Sequence, residues 1–495
     1  KFFTEEKKNV LIRNNLIYRI NYKNLIFLDS LNIINESLGK IANKFFNDKK
    51  DDFDITKIKR ISDINRYYKD IKFYLIKDIE LLYKIINLLK ERFEKTFSIN
   101  ITENITISSI AFSIYRMKYL KDDYEIEENN EYRDAFLRKS YAGGLCCVIE
   151  TVMDKGYSYD VNSLYPYVMH ENKYPLGEGV YINFNKNIKF DINKHFGFLD
   201  CIMYIPKKLS IPPLAFKNSN GILIQAHGYI RNTWFTEEIK NAINLGCVLV
   251  KAIKLLNYEK SDYIFKEFVE DLYSKRVSST NEIDKTLYKN ILNSLYGRFG
   301  IKKEKKILKW KNDNKNYIYE YFSKLTRHFG ENDGISEYQL DESIYSHYKG
   351  VDDISDELRS DIDKEYMSSK MKINRLTNST QIASAVSAYA RMKLMNDIYY
   401  LLNSNNDIKI YYYDTDSIFT NTEIPKHMID STILGKYKLV DNIKRGIFVS
   451  PKIYIIDNYK KENYKFKGLD KKTRDSLNYN YNSFYNFLKR GVSIN

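Results

Sequence analysis

Two aspartates, Asp414 and Asp416, lie two positions apart within a run of aromatic and β-branched residues. Such a run, interrupted by Asp-Thr-Asp-Ser, predicts a strand, a tight turn and a second strand. Because side chains two apart on a strand share a face, we expect both carboxylates to point at one place. Two like charges at such a short distance repel each other strongly unless a cation lies between them. Oxygen ligands suit a hard ion such as Mg²⁺. For this short pattern alone, a solvated acidic turn is the alternative.

A third aspartate follows a strand-like stretch far upstream. Residues 159–166 read Tyr-Asp-Val-Asn-Ser-Leu-Tyr-Pro, with the acid at Asp160. The apolar stretch ends there, and the residues after it predict a turn or a short helix. An acid at the end of a buried strand is well placed to join the pair at 414 and 416.

Between these acids lies a segment with helical spacing and positive charge. Lys285, Lys289 and Asn293 recur every four residues, so a helix would line them on one face, with Tyr296 one turn further on. Cations arranged along one helix face can bind a triphosphate. A solvated basic face is the alternative, and it weighs more for Lys285 than for Lys289.

In this order, the three segments resemble motifs A, B and C of the family B DNA polymerases. The shared residues are Asp-x-x-Ser-Leu-Tyr-Pro from Asp160, Lys-x-x-x-Asn-Ser-Leu-Tyr-Gly from Lys289, and Tyr-x-Asp-Thr-Asp-Ser around Asp414. The resemblance implies an α+β fold, namely a right-hand polymerase with palm, fingers and thumb. It also implies a DNA-templated DNA polymerase that adds deoxynucleotides to a 3′-hydroxyl, with a DNA primer-template and dNTP as its partners.

The resemblance assigns metal binding to Asp160, Asp416 and the carbonyl of Val161, with Asp414 as a further catalytic carboxylate. Two Mg²⁺ ions, for which Mn²⁺ can substitute, would lower the pKa of the primer hydroxyl. They would also neutralise charge on the leaving pyrophosphate. Three surface acids in turns are the alternative.

The resemblance also implies a nucleotide site. Lys285 and Lys289 would hold the triphosphate, together with either Lys275 or Arg276 on a facing helix. Tyr165 and Tyr296 would flank the nucleotide. Core packing is the alternative for the tyrosines. The residues assigned to this site are Tyr165, Lys275, Arg276, Lys285, Lys289, Asn293 and Tyr296.

Two further motifs resemble the protein-primed branch of the family, found in bacteriophages and linear plasmids. Residues 141–144 resemble its Y-x-G-G linker, implying template contacts, and residues 452–454 resemble its K-x-Y motif, implying contacts to primer phosphates. A plain turn and an exposed strand are the respective alternatives. Together with an arginine on a predicted helix at 380–400, the DNA-binding candidates are Tyr141, Gly143, Gly144, Arg391, Lys452 and Tyr454.

Residues 31–120 are predicted to be mainly helical, and two patterns in the N-terminal region resemble parts of a ribonuclease H-like 3′–5′ exonuclease domain. Tyr74 and Asp78 match its third motif, Y-x-x-x-D, and Ser30 and Leu31 match its single-stranded DNA-binding segment. The first two exonuclease motifs are not found. We therefore expect the chain to begin inside that domain and not to proofread.

Composition is consistent with nucleic-acid binding. The net charge is +15 and the chain has 44 Tyr and 27 Phe, which suit phosphate pairing and base stacking. Codon bias in an A/T-rich genome would enrich the same residue types, so the charge supports the function without establishing it. The lack of C-x-x-C spacing favours a reducing compartment. The codon bias favours mitochondria over a cytoplasmic, viral or plasmid-encoded origin. We expect a monomer with no membrane span.

The predicted domains follow from the motif positions. The long stretches between motifs resemble the two insertions of the protein-primed branch, which implies that the first would meet a terminal protein acting as primer and the second would close over the template. The boundaries are an exonuclease remnant at 1–120, palm at 141–175, first insertion at 176–250, fingers at 255–300, second insertion at 301–375, palm at 380–447 and partial thumb at 448–495.

Two other functions compete with this interpretation. A catalytically decayed remnant that only binds nucleic acid is disfavoured by the intact acids and by Lys289. A reverse transcriptase or single-subunit RNA polymerase fits neither the Asp-Thr-Asp-Ser turn nor the Asn-Ser-Leu-Tyr-Gly helix.

Overall fold

The computed structural model describes residues 9–13, 16–22, 24–34, 36–48, 53–121, 123–126, 129–184, 190–218, 220–301, 306–310, 327–332, 335–339, 379–468 and 480–489. They belong to two compact units, one drawn from residues 1–119 and 273–378 and the other from residues 120–272 and 379–495. Within these ranges, no helix combines the length and the apolar character needed to cross a bilayer.

Both units contain helices and strands. The α-helices are α1 (Leu38–Phe46), α2 (Ile61–Arg66), α3 (Tyr68–Phe97), α4 (Ile107–Lys118), α5 (Glu131–Ser140), α6 (Leu164–Glu171), α7 (Thr236–Asn244), α8 (Lys266–Ser278), α9 (Glu282–Phe299), α10 (Thr380–Ser404) and α11 (Tyr481–Lys489). The strands are β1 (Asn9–Arg13), β2 (Leu16–Tyr22), β3 (Leu25–Leu28), β4 (Cys146–Val148), β5 (Val152–Met153), β6 (Gly156–Val161), β7 (Tyr174–Leu176), β8 (Val180–Asn183), β9 (Gly197–Ile205), β10 (Ala215–Lys217), β11 (Leu223–Gln225), β12 (Gly228–Phe235), β13 (Val248–Asn257), β14 (Lys260–Asp262), β15 (Lys306–Trp310), β16 (Arg327–Asn332), β17 (Ile335–Gln339), β18 (Ile410–Asp414), β19 (Ser417–Thr420), β20 (Tyr437–Ile443), β21 (Arg445–Ser450), β22 (Ile453–Asp457) and β23 (Glu462–Phe466).

The first unit is mainly helical over residues 31–120, as the apolar spacing predicts. Apolar residues every four positions bury one face of α3: Leu81, Ile85, Leu89, Phe93 and Phe97. A second contact joins α4 to α9, where the rings of Phe112 and Phe299 meet edge to face at 5.3 Å. Asn281 caps α9, because its side chain accepts a hydrogen bond from the N–H of Ile283. This packing gives the predicted phosphate-binding helix a fixed apolar side.

Strands β15, β16 and β17 also belong to the first unit. They form one sheet with the N-terminal strands, in the order β16-β17-β15-β1-β2-β3. These three strands fall within the predicted second insertion at 301–375, most of which lies outside the described residues. Its predicted extent and role therefore stay predictions.

The second unit contains the palm-like sheet that carries the three aspartates. Its strand order is β20-β6-β19-β18-β4, and each neighbouring pair is antiparallel. Helix α10 is buried along most of its length, which requires apolar or small residues on nearly every side. The sheet and this helix form the scaffold that fixes the candidate site.

A second sheet of the same unit has the order β12-β9-β13-β8. Its inner side packs on a core that includes Trp234, Leu199 and Leu255. Strand β13 runs from Val248 to Asn257, so the predicted insertion boundary at residue 250 falls inside a strand, and the extent of that insertion stays a prediction. Apolar periodicity could not locate this boundary, because half-exposed residues fill most of β13.

The C-terminal part forms a third sheet, with the order β23-β22-β21-β5. Helix α11 packs against it, and their core contains Ile447, Ile455, Phe466, Tyr481 and Phe484. The predicted palm–thumb boundary at 447–448 falls inside β21, which pairs with Val152 and Met153 of β5. The division into palm and thumb at this position stays a prediction.

Candidate active site on the five-stranded sheet

The predicted strand–turn–strand at 410–420 is present. Strand β18 ends at Asp414 and β19 begins at Ser417, so Thr415 and Asp416 form a two-residue turn. Thr415 has a left-handed φ of 63°, which such hairpin turns require. Ser417 is also the register partner of Asp160 on β6, so the hairpin brings motif C beside motif A. However, Asp416 lies in the turn and not on a strand, and the expectation that it shares a strand face with Asp414 was wrong.

Asp160 and Asp416 form the first acidic pair. Burial, together with repulsion from Asp160, raises the pKa of Asp416 to about 6. The N–H of Val161 donates to the carbonyl of Asp416 at 2.8 Å, which ties the two backbones together. Burial and a neighbouring carboxylate each disfavour the charged form of a carboxylate, and both act on Asp416.

This pair fits a divalent cation. Mg²⁺ is commonly bound through one or two carboxylates plus waters and substrate phosphates. Across the described residues, no three His, Cys, Asp or Glu side chains form a group that could hold a metal ion. A metal here would therefore rest on Asp160, Asp416 and the predicted carbonyl of Val161, completed by oxygens from outside the protein.

Asp414 has different partners. Its carboxylate binds Lys452 Nζ at 2.5 Å through Oδ1 and Lys465 Nζ at 3.3 Å through Oδ2. Burial by itself would raise the pKa of Asp414, but the hydrogen bonds and charges of these lysines outweigh burial and lower the pKa below its ordinary value. Asp414 is therefore held ionised by the protein itself.

The backbone around Lys452 is fixed by the same cluster. Lys452 has a left-handed φ of 65°, and its N–H donates to the hydroxyl of Tyr412 at 3.0 Å. That hydroxyl also lies 3.1 Å from Cys146 Sγ and 3.4 Å from Asp414 Oδ2. A strained residue that its surroundings hold in place is common at functional sites.

Tyr454 of the K-x-Y motif is only partly accessible. Its ring packs against Tyr412 at 5.4 Å and Phe448 at 5.8 Å between centroids, and burial raises its pKa to about 12. The predicted contacts of Lys452 and Tyr454 to primer phosphates stay predictions. The structure places the ammonium of Lys452 on Asp414.

Motif A continues into a short helix, as predicted. Ser163 adopts a left-handed φ of 53° just before α6, and Asn162 Nδ2 donates to the carbonyls of Asp430 and Ile433 at 2.5 and 3.2 Å. These contacts fix the start of the helix on which Tyr165 lies. Burial raises the pKa of Tyr141, and the neighbouring Tyr165 raises it further. Tyr141 of the predicted template linker and Tyr165, which is predicted to flank the nucleotide, are therefore close together.

The two glycines of the linker have different surroundings. A Cβ on Gly144 would lie 2.6 Å from Thr415 Cγ2, a distance that real Cβ atoms essentially never show. A Cβ on Gly143 would meet no atom within 4 Å. The close approach that an adjacent glycine pair predicts is therefore present at Gly144, and the neighbour is the catalytic turn.

Arg391 corrects a prediction. It is 2% exposed, and its guanidinium forms a bidentate ion pair with Glu238, with Nε–Oε1 at 2.6 Å and Nη2–Oε2 at 2.8 Å. Its Nη1 donates to the carbonyl of Ala142 at 2.9 Å. A guanidinium so enclosed cannot reach a DNA phosphate, so the prediction of a direct DNA contact was wrong. Arg391 instead positions the linker that begins at Tyr141.

In the first unit, α9 forms the predicted helix and arranges its polar residues as expected. Lys289 and Asn293 are exposed and Tyr296 is half-buried. Lys285 Nζ lies 2.8 Å from Glu282 Oε1 one turn before it. Lys275 and Arg276 are both half-buried in the last turn of α8, so the choice between them stays open.

The exonuclease-like residues also lie in the first unit. Tyr74 and Asp78 are one turn apart on α3, as predicted. Ser30 and Leu31 lie in a 3₁₀ turn, where the side chain of Asp29 accepts a hydrogen bond from the N–H of Leu31 at 2.9 Å. Their assignment to exonuclease chemistry and DNA binding stays a prediction.

Comparison with known proteins identifies the family. Residues 1–399 match the family described as DNA polymerase type B, organellar and viral. The chain belongs to this family. Probable DNA polymerases of Podospora anserina and Agaricus bitorquis are 30% and 28% identical to it over 393 and 433 residues, which cover 77% and 83% of this chain and 31% and 51% of those relatives. The DNA polymerase of Bacillus phage phi29 is 26% identical over 346 residues, covering 66% of this chain and 50% of the relative.

The fold of this type B polymerase is similar to that of phi29 DNA polymerase complexed with primer-template DNA and incoming nucleotide. The TM-score is 0.70 at 20% identity, covering 96% of this chain and 80% of that chain. The predicted α+β polymerase fold is therefore confirmed. The chain spans about a third to a half of the length of the fungal relatives it matches.

Three polar residues near the site were missed at the sequence level. Lys438 binds Asp160, Lys465 binds Asp414, and Glu238 holds Arg391. Lysine is frequent throughout this chain, so nothing in the local pattern separates these two from the solvated ones. Glu238 lies in the first turn of α7, where an acid needs no explanation beyond the helix dipole.

Proposed function

We propose that this type B polymerase is a DNA-templated DNA polymerase that adds deoxynucleotides to a primer 3′-hydroxyl. The observation that carries the proposal is the pair Asp160 and Asp416, which the pairing of β6 with β19 and the hydrogen bond from the N–H of Val161 to the carbonyl of Asp416 bring together. The names of its fungal and phage relatives support the same activity. In phi29 polymerase, the same fold is found in complex with primer-template DNA and incoming nucleotide.

Asp160, Asp416 and the carbonyl of Val161 would hold Mg²⁺, for which Mn²⁺ can substitute. When bound, the metal lowers the pKa of the attacking hydroxyl and neutralises charge on the leaving pyrophosphate. The turn at Thr415 and Asp416 keeps its carboxylate within the reach of Asp160, because its backbone is hydrogen-bonded to Val161. The residues of the chain thus supply orientation and ligand oxygens.

On the nucleotide side, Lys289 is the better phosphate ligand of the two helical lysines. It is the lysine of the motif Lys-x-x-x-Asn-Ser-Leu-Tyr-Gly, and it is exposed. Tyr165, beside Tyr141 in the palm, would lie under the sugar and exclude a 2′-hydroxyl. Asn293 and Tyr296 would complete the nucleotide contacts from the same helix as Lys289.

On the DNA side, Tyr141 and the linker that follows it would meet the template strand. Lys452 would bind primer phosphate, leaving Lys465 on Asp414 when DNA arrives. A terminal protein that meets the predicted first insertion at residues 176–250 would supply the first hydroxyl. The polymerase would replicate a linear genome or plasmid in mitochondria. The priming step and the location rest on the resemblance to the protein-primed branch, the organellar description of the family and the codon bias.

Primer extension by the purified chain tests the proposal. We expect extension of a primed DNA template by all four dNTPs in Mg²⁺, with loss of extension in Asp416→Asn and normal extension in the surface variant Lys444→Ala. DNA binding without extension would instead establish a decayed remnant. Extension only on an RNA template, or only with ribonucleotides, would also contradict the proposal.

The priming step needs a separate test. Incubation with a candidate terminal protein and one labelled dNTP should attach a single nucleotide to a protein hydroxyl, in a product that resists denaturation by detergent. A polymerase that extends DNA primers but never labels the terminal protein would limit the proposal to elongation.

A further inference from the structure

Lys438 lies beside a predicted metal ligand. It is on β20, the edge strand of the five-stranded sheet, directly opposite Asp160 in the register. Its Nζ is 2.9 Å from Asp160 Oδ2, with the side chains 43% and 29% exposed. The residue before it, Tyr437, points to the other side, where its hydroxyl donates to Asp397 at 2.9 Å. Strand alternation therefore selects Lys438 for the catalytic face.

The ion pair competes with the chemistry that the site would perform. An ammonium group 2.9 Å from a carboxylate oxygen competes with a metal ion for that oxygen, because the two cations repel each other and occupy the same space. Lys438 also opposes the rise in the pKa of Asp416, so its charge acts on both carboxylates. One ammonium group thus occupies the place where a divalent cation would give greater stabilisation.

We propose that Lys438 is an internal counter-ion of Asp160 that the incoming metal displaces, and that its freed ammonium then binds the triphosphate arriving with that metal. This inference rests on the proposed polymerase function. Without metal, Lys438 offsets the repulsion between Asp160 and Asp416 and keeps Asp160 facing the site. With metal bound, the ammonium must leave Asp160, and the triphosphate is the nearest new negative charge within reach of its flexible stem.

The exposure of the pair sets the size of the effect. Partly exposed ion pairs contribute little, so removal of Lys438 should tighten Mn²⁺ binding to the metal-free protein by about two- to fivefold. Lys438→Arg keeps the charge and should bind Mn²⁺ as the wild type does. Lys444 is a matched control, because it follows the same strand and its Nζ lies 4.0 Å from Asp457, away from the catalytic pair.

The experiment is a titration of the metal-free full chain with Mn²⁺ alone, followed by electron paramagnetic resonance, in the wild type, Lys438→Ala, Lys438→Arg and Lys444→Ala. Tighter binding confined to Lys438→Ala supports the counter-ion role. Unchanged or weaker binding in that variant overturns it. This readout needs neither DNA nor turnover, so it stands even if the wild type fails to extend a primer, a failure that would count against the proposed function.

The second step is tested by steady-state kinetics at saturating Mg²⁺. Lys438→Ala should raise KM for all four dNTPs alike, by about three- to tenfold, because the lost contact is to phosphate and not to a base. Lys438→Arg should restore most of the affinity, and Lys444→Ala should match the wild type. An unchanged KM, or a change that depends on the base, overturns the transfer of Lys438 to the triphosphate.

Discussion

The two aspartates of one hairpin, Asp414 and Asp416, are only two residues apart, yet their surroundings are opposite. Asp414 is 5% exposed and binds two lysines, and its pKa is lowered. Asp416 faces another carboxylate, and its pKa is raised to about 6. At Asp414 the protein already supplies the positive charge. At Asp416 and Asp160 it supplies one partly exposed lysine for two acids, and a metal can contribute the rest.

Adjacent acids in one motif thus have opposite electrostatic surroundings. Charge balance, and not position in the motif, favours Asp416 over Asp414 as the proposed metal ligand and makes Asp414 the ion-pair partner of Lys452. This ion pair places an ammonium group beside the site without using a metal-binding oxygen.

The largest expected effect separates the acids by function. Asp160→Asn and Asp416→Asn should each lower the rate of nucleotide addition about a thousandfold or more and abolish Mn²⁺ binding, because each removes a metal ligand. Asp414→Asn should still bind Mn²⁺ within a few-fold of the wild type. Mn²⁺ titration and single-nucleotide incorporation measure both. Equal loss of Mn²⁺ binding in all three variants would erase the distinction between the acids.

The next effect concerns the turn between the two acids. Gly144→Ala should lower the free energy of unfolding by about 1–3 kcal/mol, because the new methyl group would overlap Thr415. Gly143→Ala is the matched control and should change it by less than about 0.5 kcal/mol, since nothing lies within 4 Å of the added atom. Urea denaturation measures both. Equal destabilisation by the two variants would show that the linker backbone, and not the contact with Thr415, causes the loss of stability.

The pKa shifts predict stability changes of opposite sign. A group whose pKa is raised by folding costs stability above that pKa, so metal-free Asp416→Asn should be more stable than the wild type at pH 7.5, by about 1–2 kcal/mol. The gain should fade as the pH drops through about 6 towards 4. Asp414 has a lowered pKa, so Asp414→Asn should be less stable than the wild type at pH 7.5, with the difference shrinking below about pH 4. Chemical denaturation at several pH values measures both, and changes of the same sign would contradict the opposite environments.

The smallest effect concerns the second lysine of Asp414. Lys465 is 49% exposed and shares the carboxylate with Lys452, so Lys465→Met should cost less than about 1 kcal/mol of stability. Lys452→Met should cost more and should also weaken primer binding. Lys467→Met is the control, because Lys467 directly follows β23 and its side chain is exposed. A larger loss from Lys465→Met than from Lys452→Met would reverse the order given by the contact distances.

Local sequence patterns were sufficient to predict those features that depend on a single segment. The hairpin at 410–420, the start of α6 after Asp160 and the exposed row on α9 follow from alternation, turn residues and four-residue spacing. The order of the three motifs was also enough to predict the family and the α+β polymerase fold. The domain boundaries at residues 250 and 447 were placed from the motif positions, and they fall inside β13 and β21, whose pairing a local pattern does not record.

Tertiary structure alone decided which charges meet. Lys438, Lys452 and Lys465 reach the aspartates only through the strand order β20-β6-β19-β18 and the neighbouring sheet. Arg391 meets Glu238 across 153 positions, and Gly144 meets Thr415 because two distant segments pack together. Periodicity records which face of a segment is buried but carries no information about the partner strand or its register. The sequence by itself therefore determined the candidate catalytic acids, and only the folded chain determined which of them already has its counter-ion.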